Sequence, residues 1–279
     1  MYQLLNGPLR LSNLLYAIMV GVVQGISEWL PISSKTQVLL VSNYLFGLPV
    51  EVAFAFGLFM EVGSLASASA YFRRDIISLF HDRRLLLYLL VVTLFTGLIG
   101  VPLYVVAEKL LSTAYSPGIP MMILGAILVS DSVYIRYSRL APRMAGLKDM
   151  RLRHYVAIGV AQGIAALPGV SRSGMTVSTM LFMGMEPGDA FRLSYLAYIP
   201  AALGGFATTI LLSRAEINTA VTAVDPVGVV FAVVAAALVG LVVISAALRF
   251  AKRNNIYVVT LVIGVVAIVI GALATAASI

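Results

Sequence analysis

Leu30-Pro31-Ile32-Ser33-Ser34-Lys35 cuts an apolar run spanning about 13–48, and Leu167-Pro168-Gly169-Val170-Ser171-Arg172-Ser173-Gly174 cuts another, about 154–184. Proline and glycine free backbone groups that lipid cannot satisfy. At membrane depth such breaks survive only inside protein or beside a water-filled cavity. Each run therefore predicts a helix that stops midway, turns and resumes. Around them six uninterrupted segments, about 52–72, 85–107, 119–136, 189–213, 226–249 and 256–277, are long and apolar enough to cross a bilayer, which takes roughly 20 residues.

Composition points the same way. Of the 279 residues 61% are hydrophobic and 11% charged, with a mean hydropathy of +1.00. A soluble domain carries about a quarter charged residues. A soluble globule, a disordered chain and a nucleic-acid-binding module are thereby excluded. The absence of cysteine excludes disulfides, thiolate zinc sites and iron–sulfur clusters. No cleaved signal peptide is expected, because only Arg10 precedes the first apolar run and no small-residue cleavage site ends it.

The net charge of +7 reports orientation. Four basic residues lie in 73–84, six in 136–153 and three in 249–253, against one each in the loops 108–118 and 214–225. The positive-inside rule makes the basic segments cytoplasmic. Parity then requires 154–184 to enter from the cytoplasm and return there, and 13–48 to dip in from outside and return. Both read as re-entrant helical hairpins, inserted from opposite faces.

The hairpins also resemble each other. Gly21-Val22-Val23-Gln24-Gly25-Ile26 echoes Gly159-Val160-Ala161-Gln162-Gly163-Ile164, and beyond a one-residue shift an offset of 137 pairs Leu30-Pro31 with Leu167-Pro168 and Ser34-Lys35 with Ser171-Arg172. The expected fold is all-α and polytopic: an inverted repeat in which each half is one re-entrant hairpin plus three transmembrane helices. Residues 1–279 form one membrane domain, with repeat 1 at about 13–136, a basic cytoplasmic linker at about 137–153 and repeat 2 at about 154–277. Such inverted repeats bring discontinuous helices together near the midplane. The glycines four apart suit close helix packing.

Charges inside hydrocarbon are costly and mark function by default. With flanking residues set aside, the candidates are Lys35, Arg172, Glu28 and Glu61; Arg192, near a span end, suits a structural pair with Glu186 or Asp189. Arg172 sits where a turn containing Gly169 and Gly174 frees amides, the hydroxyls of Ser171, Ser173 and Thr176 gather, and a helix begins. Helix N-termini and an arginine fork both favour phosphate. On the first hairpin Ser33, Ser34, Lys35 and Gln37 follow the break and Glu28 precedes it, with Gln24 one turn earlier on the same helix face. A carboxylate beside two cations stays ionised. Glu28 is then a counter-ion, an orienter of a hydroxyl or water, or a ligand to a divalent ion such as Mg²⁺ or Ca²⁺. Ser27 and Ser42 suit bonds to their own backbone, and Trp29 suits an apolar wall.

These stretches carry a resemblance. Gln24-Gly25-Ile26-Ser27-Glu28-Trp29-Leu30-Pro31-Ile32-Ser33-Ser34 resembles the first signature of the undecaprenyl-diphosphatase (bacitracin-resistance) family, roughly E-G-x-x-E-F-L-P-x-S-S-T-G-H, and Leu167 to Thr176 resembles its second, P-G-x-S-R-S-G-x-T. The resemblance implies a plasma-membrane enzyme that removes the terminal phosphate of a polyprenyl diphosphate and recycles a lipid carrier for cell-envelope glycans. Its site would open toward the outer face. By this resemblance Glu28 matches the second acid of the first signature and Ser34 its second serine, while Ser171, Arg172, Ser173 and Thr176 match the diphosphate-binding part of the second. Glu28, Ser34, Arg172 and Thr176 are the expected catalytic residues, and Gln24, Ser33, Lys35, Gln37, Gly169, Ser171, Ser173 and Gly174 the expected substrate-binding ones. Lys35 stands where the family commonly has a small hydroxyl residue. The expected partners are a polyprenyl diphosphate and membrane lipids, with no nucleic acid and with a homodimer left open. Two departures stand out: the family's first acid is Gln24 here and its histidine is Gln37, so a Ser–His mechanism does not carry over. The alternatives are a polyprenyl-phosphate flippase and a small-anion carrier.

Overall fold

The computed structural model describes residues 11–111, 118–137, 144, 146–167, 169–251 and 256–277. Arg10, Arg139, Arg143, Pro168, Lys252 and Arg253, which the sequence reading used, lie outside them. The regular elements among the described residues are helical: α1 (Leu11–Ser27), α2 (Ser34–Phe46), α3 (Val50–Phe59), α4 (Glu61–Tyr71), α5 (Arg73–Ser78), α6 (Arg83–Leu111), α7 (Gly118–Tyr137), α8 (Leu152–Ile164), α9 (Arg172–Phe182), α10 (Pro187–Leu212), α11 (Arg214–Val224), α12 (Pro226–Ala251) and α13 (Ile256–Ala277).

Four segments are long and apolar enough to span a membrane: Val50–Tyr71, Arg83–Ala107, Pro187–Leu212 and Pro226–Ala251. Within α7 and α13 the apolar runs are Met121–Ser130 and Thr260–Ala276. Leu86, Leu90, Leu94 and Leu98 stand exposed at successive helical turns of α6, as do Val230, Val234, Leu238 and Val242 on α12. Apolar stripes of this kind need lipid, not water, as their solvent. This is a multi-pass membrane protein.

Both interrupted runs break where the sequence predicts, between α1 and α2 and between α8 and α9. Two helices were not expected. The 214–225 loop is largely helical as α11, which packs on α3, and Arg73 and Arg74 open the short α5. Periodicity alone does not separate a short polar helix from a loop.

The glycines set how the helices meet. On α1, a side chain at Gly21 would strike the Ala232 carbonyl of α12, and one at Gly25 would come within 2.8 Å of the Ala236 carbonyl. On α8, a Cβ at Gly159 would lie 2.7 Å from Phe95 Cβ, and one at Gly163 2.7 Å from Ile99 Cβ of α6. So α1 runs alongside α12 in the same direction, as α8 runs alongside α6. The α7–α13 contact is antiparallel: Gly118 faces Gly271 and Gly125 faces Gly264. Small residues here let backbones touch, which is what drives association where lipid removes the hydrophobic driving force.

Candidate active site

The two breaks meet. The Gly169 amide donates to Thr36 Oγ1 at 2.8 Å, and Ser173 Oγ donates to the Leu30 carbonyl at 3.1 Å. Each tip thus satisfies a backbone group that the other tip's turn had freed. Gly169 holds φ 85°, which a glycine adopts at little cost, whereas Ser33, the residue before α2, holds the left-handed φ of 54° without glycine's freedom. Thr36→Val keeps the shape of the side chain but leaves the Gly169 amide buried and unpaired. It is expected to lower stability by about 1–3 kcal/mol, read as thermal unfolding in detergent; an unchanged midpoint would show that this bond does not hold the tips.

Glu28 lies at the centre. Its Oε2 accepts from Gln24 Nε2 and from Ser34 Oγ, both at 2.7 Å, and its Oε1 pairs closely with Arg172 Nη2. Gln24 also donates to Ser64 Oγ at 3.1 Å, which anchors α1 to α4. The Arg172 guanidinium carbon lies over the Tyr198 ring, 3.8 Å from its centroid, with Nη1 3.7 Å from Glu61 Oε2. Lys35 Nζ donates to the Ala165 carbonyl at 2.5 Å, just past the C-terminus of α8, where a cation is favoured. Two cations and two carboxylates therefore balance formally in a buried setting. A small cleft lined by Glu28, Ser33, Ser34, Lys35, Val170, Ser171 and Arg172 lies between the N-termini of α2 and α9. Lys35, Glu61 and Arg172 also line a cavity of about 160 Å³ that extends between α6, α8 and α10 past Thr96, Gly97, Gln162 and Gly204.

Most expected site residues converge here, with changed duties for some. The Gly169 amide is taken by Thr36, and the Gly174 amide donates to Ser171 Oγ at 3.2 Å. These two amides stabilise the turn and are not open to a ligand. Thr176 is fully buried, one turn into α9, against Ser194 Oγ at 2.5 Å and the Arg172 carbonyl at 2.9 Å. Being an interior helix hydroxyl, it does not line the cleft. Gln37 Nε2 donates to the Ile32 carbonyl at 3.2 Å and lies near Met121 Sδ, so this side chain braces the turn.

Arg192 pairs with Asp75 of α5, a partner from a distant element and not the near-neighbour Glu186 or Asp189 that helical spacing suggested. Ser27 bonds the Val23 carbonyl at 2.6 Å, as expected, while the buried Ser42 hydroxyl has no partner among the described residues. Trp29 is a buried wall between the edges of Tyr195 and Tyr198, both at 5.0 Å. His154 caps the start of α8, accepting from the Arg151 amide at 2.9 Å; partial burial, then Arg153 and Arg151, hold its pKa below the ordinary value. The sequence reading did not single out Thr36, Ser64, Ser194 and Tyr198. Thr36 stands inside the first signature and Tyr198 follows Tyr195 by one helical turn, which is the signal each offered.

Fold and site together define a multi-pass helical membrane protein in which two interrupted helices build a buried, charge-balanced pocket rich in hydroxyls. The chain belongs to the family described as Bacitracin resistance protein BacA, which it matches over residues 17–272. Similar proteins include the undecaprenyl-diphosphatase of Sulfurisphaera tokodaii, 57% identical over 94% of this chain and 98% of that protein. That of Saccharolobus solfataricus is 45% identical over 94% and 97%, and that of Pyrobaculum aerophilum 39% over 92% and 97%.

Proposed function

We propose that this chain hydrolyses a polyprenyl, undecaprenyl-like diphosphate to the monophosphate and inorganic phosphate, recycling the lipid carrier of cell-envelope glycan synthesis. The observation that carries the reading is the continuous Ser34–Glu28–Arg172 contact: a nucleophile, its proton acceptor and an anion-binding fork on one carboxylate. Family membership and the names of the relatives support it. The terminal phosphate would reach Arg172 and Lys35 from the cavity of about 160 Å³ that both line, with the N-termini of α2 and α9 nearby, and these groups stabilise charge developing on its oxygens. Glu28 Oε2 takes the Ser34 proton as Oγ attacks the terminal phosphorus; the phosphoanhydride bond breaks, and the polyprenyl monophosphate leaves. Water then attacks the phosphoserine phosphorus and the Ser34 Oγ–P bond breaks; Glu28 returns its proton to Ser34 Oγ, and the protons of the water leave with inorganic phosphate.

Both breaks are read as re-entrant hairpins within an inverted repeat. Supporting this, the offset of 137 carries Phe95 onto Ala232 and Ile99 onto Ala236, the residues that Gly159, Gly163, Gly21 and Gly25 face. The site is proposed to open to the outer face of the plasma membrane. The cavity borders the stretches of α6 and α10 remote from their cytoplasmic starts, which carry Arg83, Arg84 and Arg192.

A divalent cation fits in one form only. Among the described residues no group of three His, Cys, Asp or Glu side chains comes together, and both oxygens of Glu28 are engaged. Mg²⁺ or Ca²⁺ held mainly by diphosphate oxygens, with Glu28 as its one protein ligand, matches how Mg²⁺ is usually held. When bound it would neutralise phosphate charge. Purified protein in detergent, given polyprenyl diphosphate, is expected to release inorganic phosphate. Chelation by EDTA is expected to suppress the release and added Mg²⁺ or Ca²⁺ to restore it. Lipid movement across liposomes without phosphate release would replace the enzymatic reading with a flippase, and full activity in EDTA would remove the cation.

A further inference from the structure

Glu28, Lys35, Glu61 and Arg172 are the charged groups that gather in the buried pocket, and three of them belong to the two breaks. Glu61 does not. It opens α4 near the middle of the span Val50–Tyr71, directly after the interruption at Met60. A carboxylate at that depth is costly to keep, so its position asks for a function.

The two carboxylates hold Arg172 in different ways. Glu28 is fixed by Gln24, Ser34 and the close Arg172 Nη2 contact, and moving it would release the Ser34 hydroxyl. Glu61 reaches Arg172 Nη1 at 3.7 Å, beyond hydrogen-bond distance, and its carboxylate accepts no hydrogen bond among the described residues. It faces the same cavity as Lys35 and Arg172. A diphosphate brings further negative charge into a pocket whose four charges sum to zero. It must take over one of the two partners of Arg172, and Glu61 is the one that costs a single long contact to replace.

On the diphosphatase reading above, we propose that Glu61 is the exchangeable counter-ion of the site. The diphosphate displaces it from Arg172, and it returns to Arg172 as inorganic phosphate departs. Glu61 is thus a positioning residue that weakens anion binding in order to keep turnover open. Its effect has a sign that structural damage does not share.

The test is Glu61→Gln in the full chain in detergent, with inorganic phosphate and inorganic pyrophosphate as probes. Loss of a charge this near the guanidinium is expected to tighten both anions by about tenfold or more. KM for polyprenyl diphosphate and the inhibitory concentration of phosphate should fall in parallel, and kcat should fall as product lingers. Unchanged or weaker anion binding overturns the proposal, because a variant merely disturbed in packing binds less tightly. If Glu61→Gln is not recovered folded, Glu61→Asp, which keeps the charge but draws it back from Arg172, is expected to tighten both anions to a smaller degree; no tightening overturns the proposal equally. A parent chain that binds pyrophosphate yet releases no phosphate from the lipid would defeat the diphosphatase reading instead, leaving the anion affinities to judge Glu61.

Discussion

Arg172→Ala protein is expected to release phosphate from a polyprenyl diphosphate at least about 10²–10³ times more slowly than the parent chain, the usual consequence of deleting one preorganised donor to a developing anion. More is lost than one donor. The guanidinium joins the second break to the first through Glu28, lies over the Tyr198 ring and faces the cavity beside Lys35. Removing it leaves Glu28 and Glu61 buried without their cation, and breaking a buried pair costs about 3–5 kcal/mol. Stability and activity therefore fall together. Arg172→Lys separates the two effects: a lysine restores the charge but not the planar fork or the stacking surface. It should recover much of the thermal stability while phosphate release stays at least tenfold down, roughly the weight of one lost geometric contact. Near-parental turnover in Arg172→Ala would remove Arg172 from the reaction, and near-parental turnover in Arg172→Lys would reduce its part to charge alone.

Glu28→Gln carries the second large effect. The substitution is nearly isosteric, so Ser34, Gln24 and Arg172 keep a neighbour of the same shape. What disappears is the acceptor for the Ser34 proton and the negative charge facing Arg172. A positioned general base contributes about 10²–10⁴ in rate, and a loss of that order is expected in initial-rate phosphate release. Ser34→Ala is its companion. A comparable loss makes the hydroxyl the attacking group, with phosphoserine trappable in the parent chain. High residual activity in Ser34→Ala together with a dead Glu28→Gln would transfer the attack to a water held by the carboxylate.

Much of this arrangement was legible in the sequence, for reasons that can be stated residue by residue. Lipid forbids unpaired backbone, so Pro31 and the Gly169 turn in otherwise apolar runs had to mark breaks, and α1–α2 and α8–α9 are interrupted there. Charge is expensive in hydrocarbon, so Glu28, Lys35, Glu61 and Arg172 stood out by type alone, and they do gather. What the sequence hid was the choice of partner. Thr36 and Gly169 lie far apart along the chain, as do Arg192 and Asp75, and no local pattern announces either contact. A hydroxyl within a signature looks the same whether it faces a ligand or its own helix, and the sequence does not show that Thr176 bonds the Arg172 carbonyl one turn back. Nor does it show that Gln37 turns toward Ile32 and α7.

The way the carboxylates and the guanidinium are divided along the chain bears on biogenesis. Both acids that neutralise Arg172 are synthesised before residue 72, and the arginine itself about a hundred residues later. During translation the N-terminal acids have Lys35 nearby as a provisional counterweight, whereas the arginine-bearing tip has no anion of its own within its turn. The charge balance of the pocket is accordingly completed only when the second break has been made and meets the first.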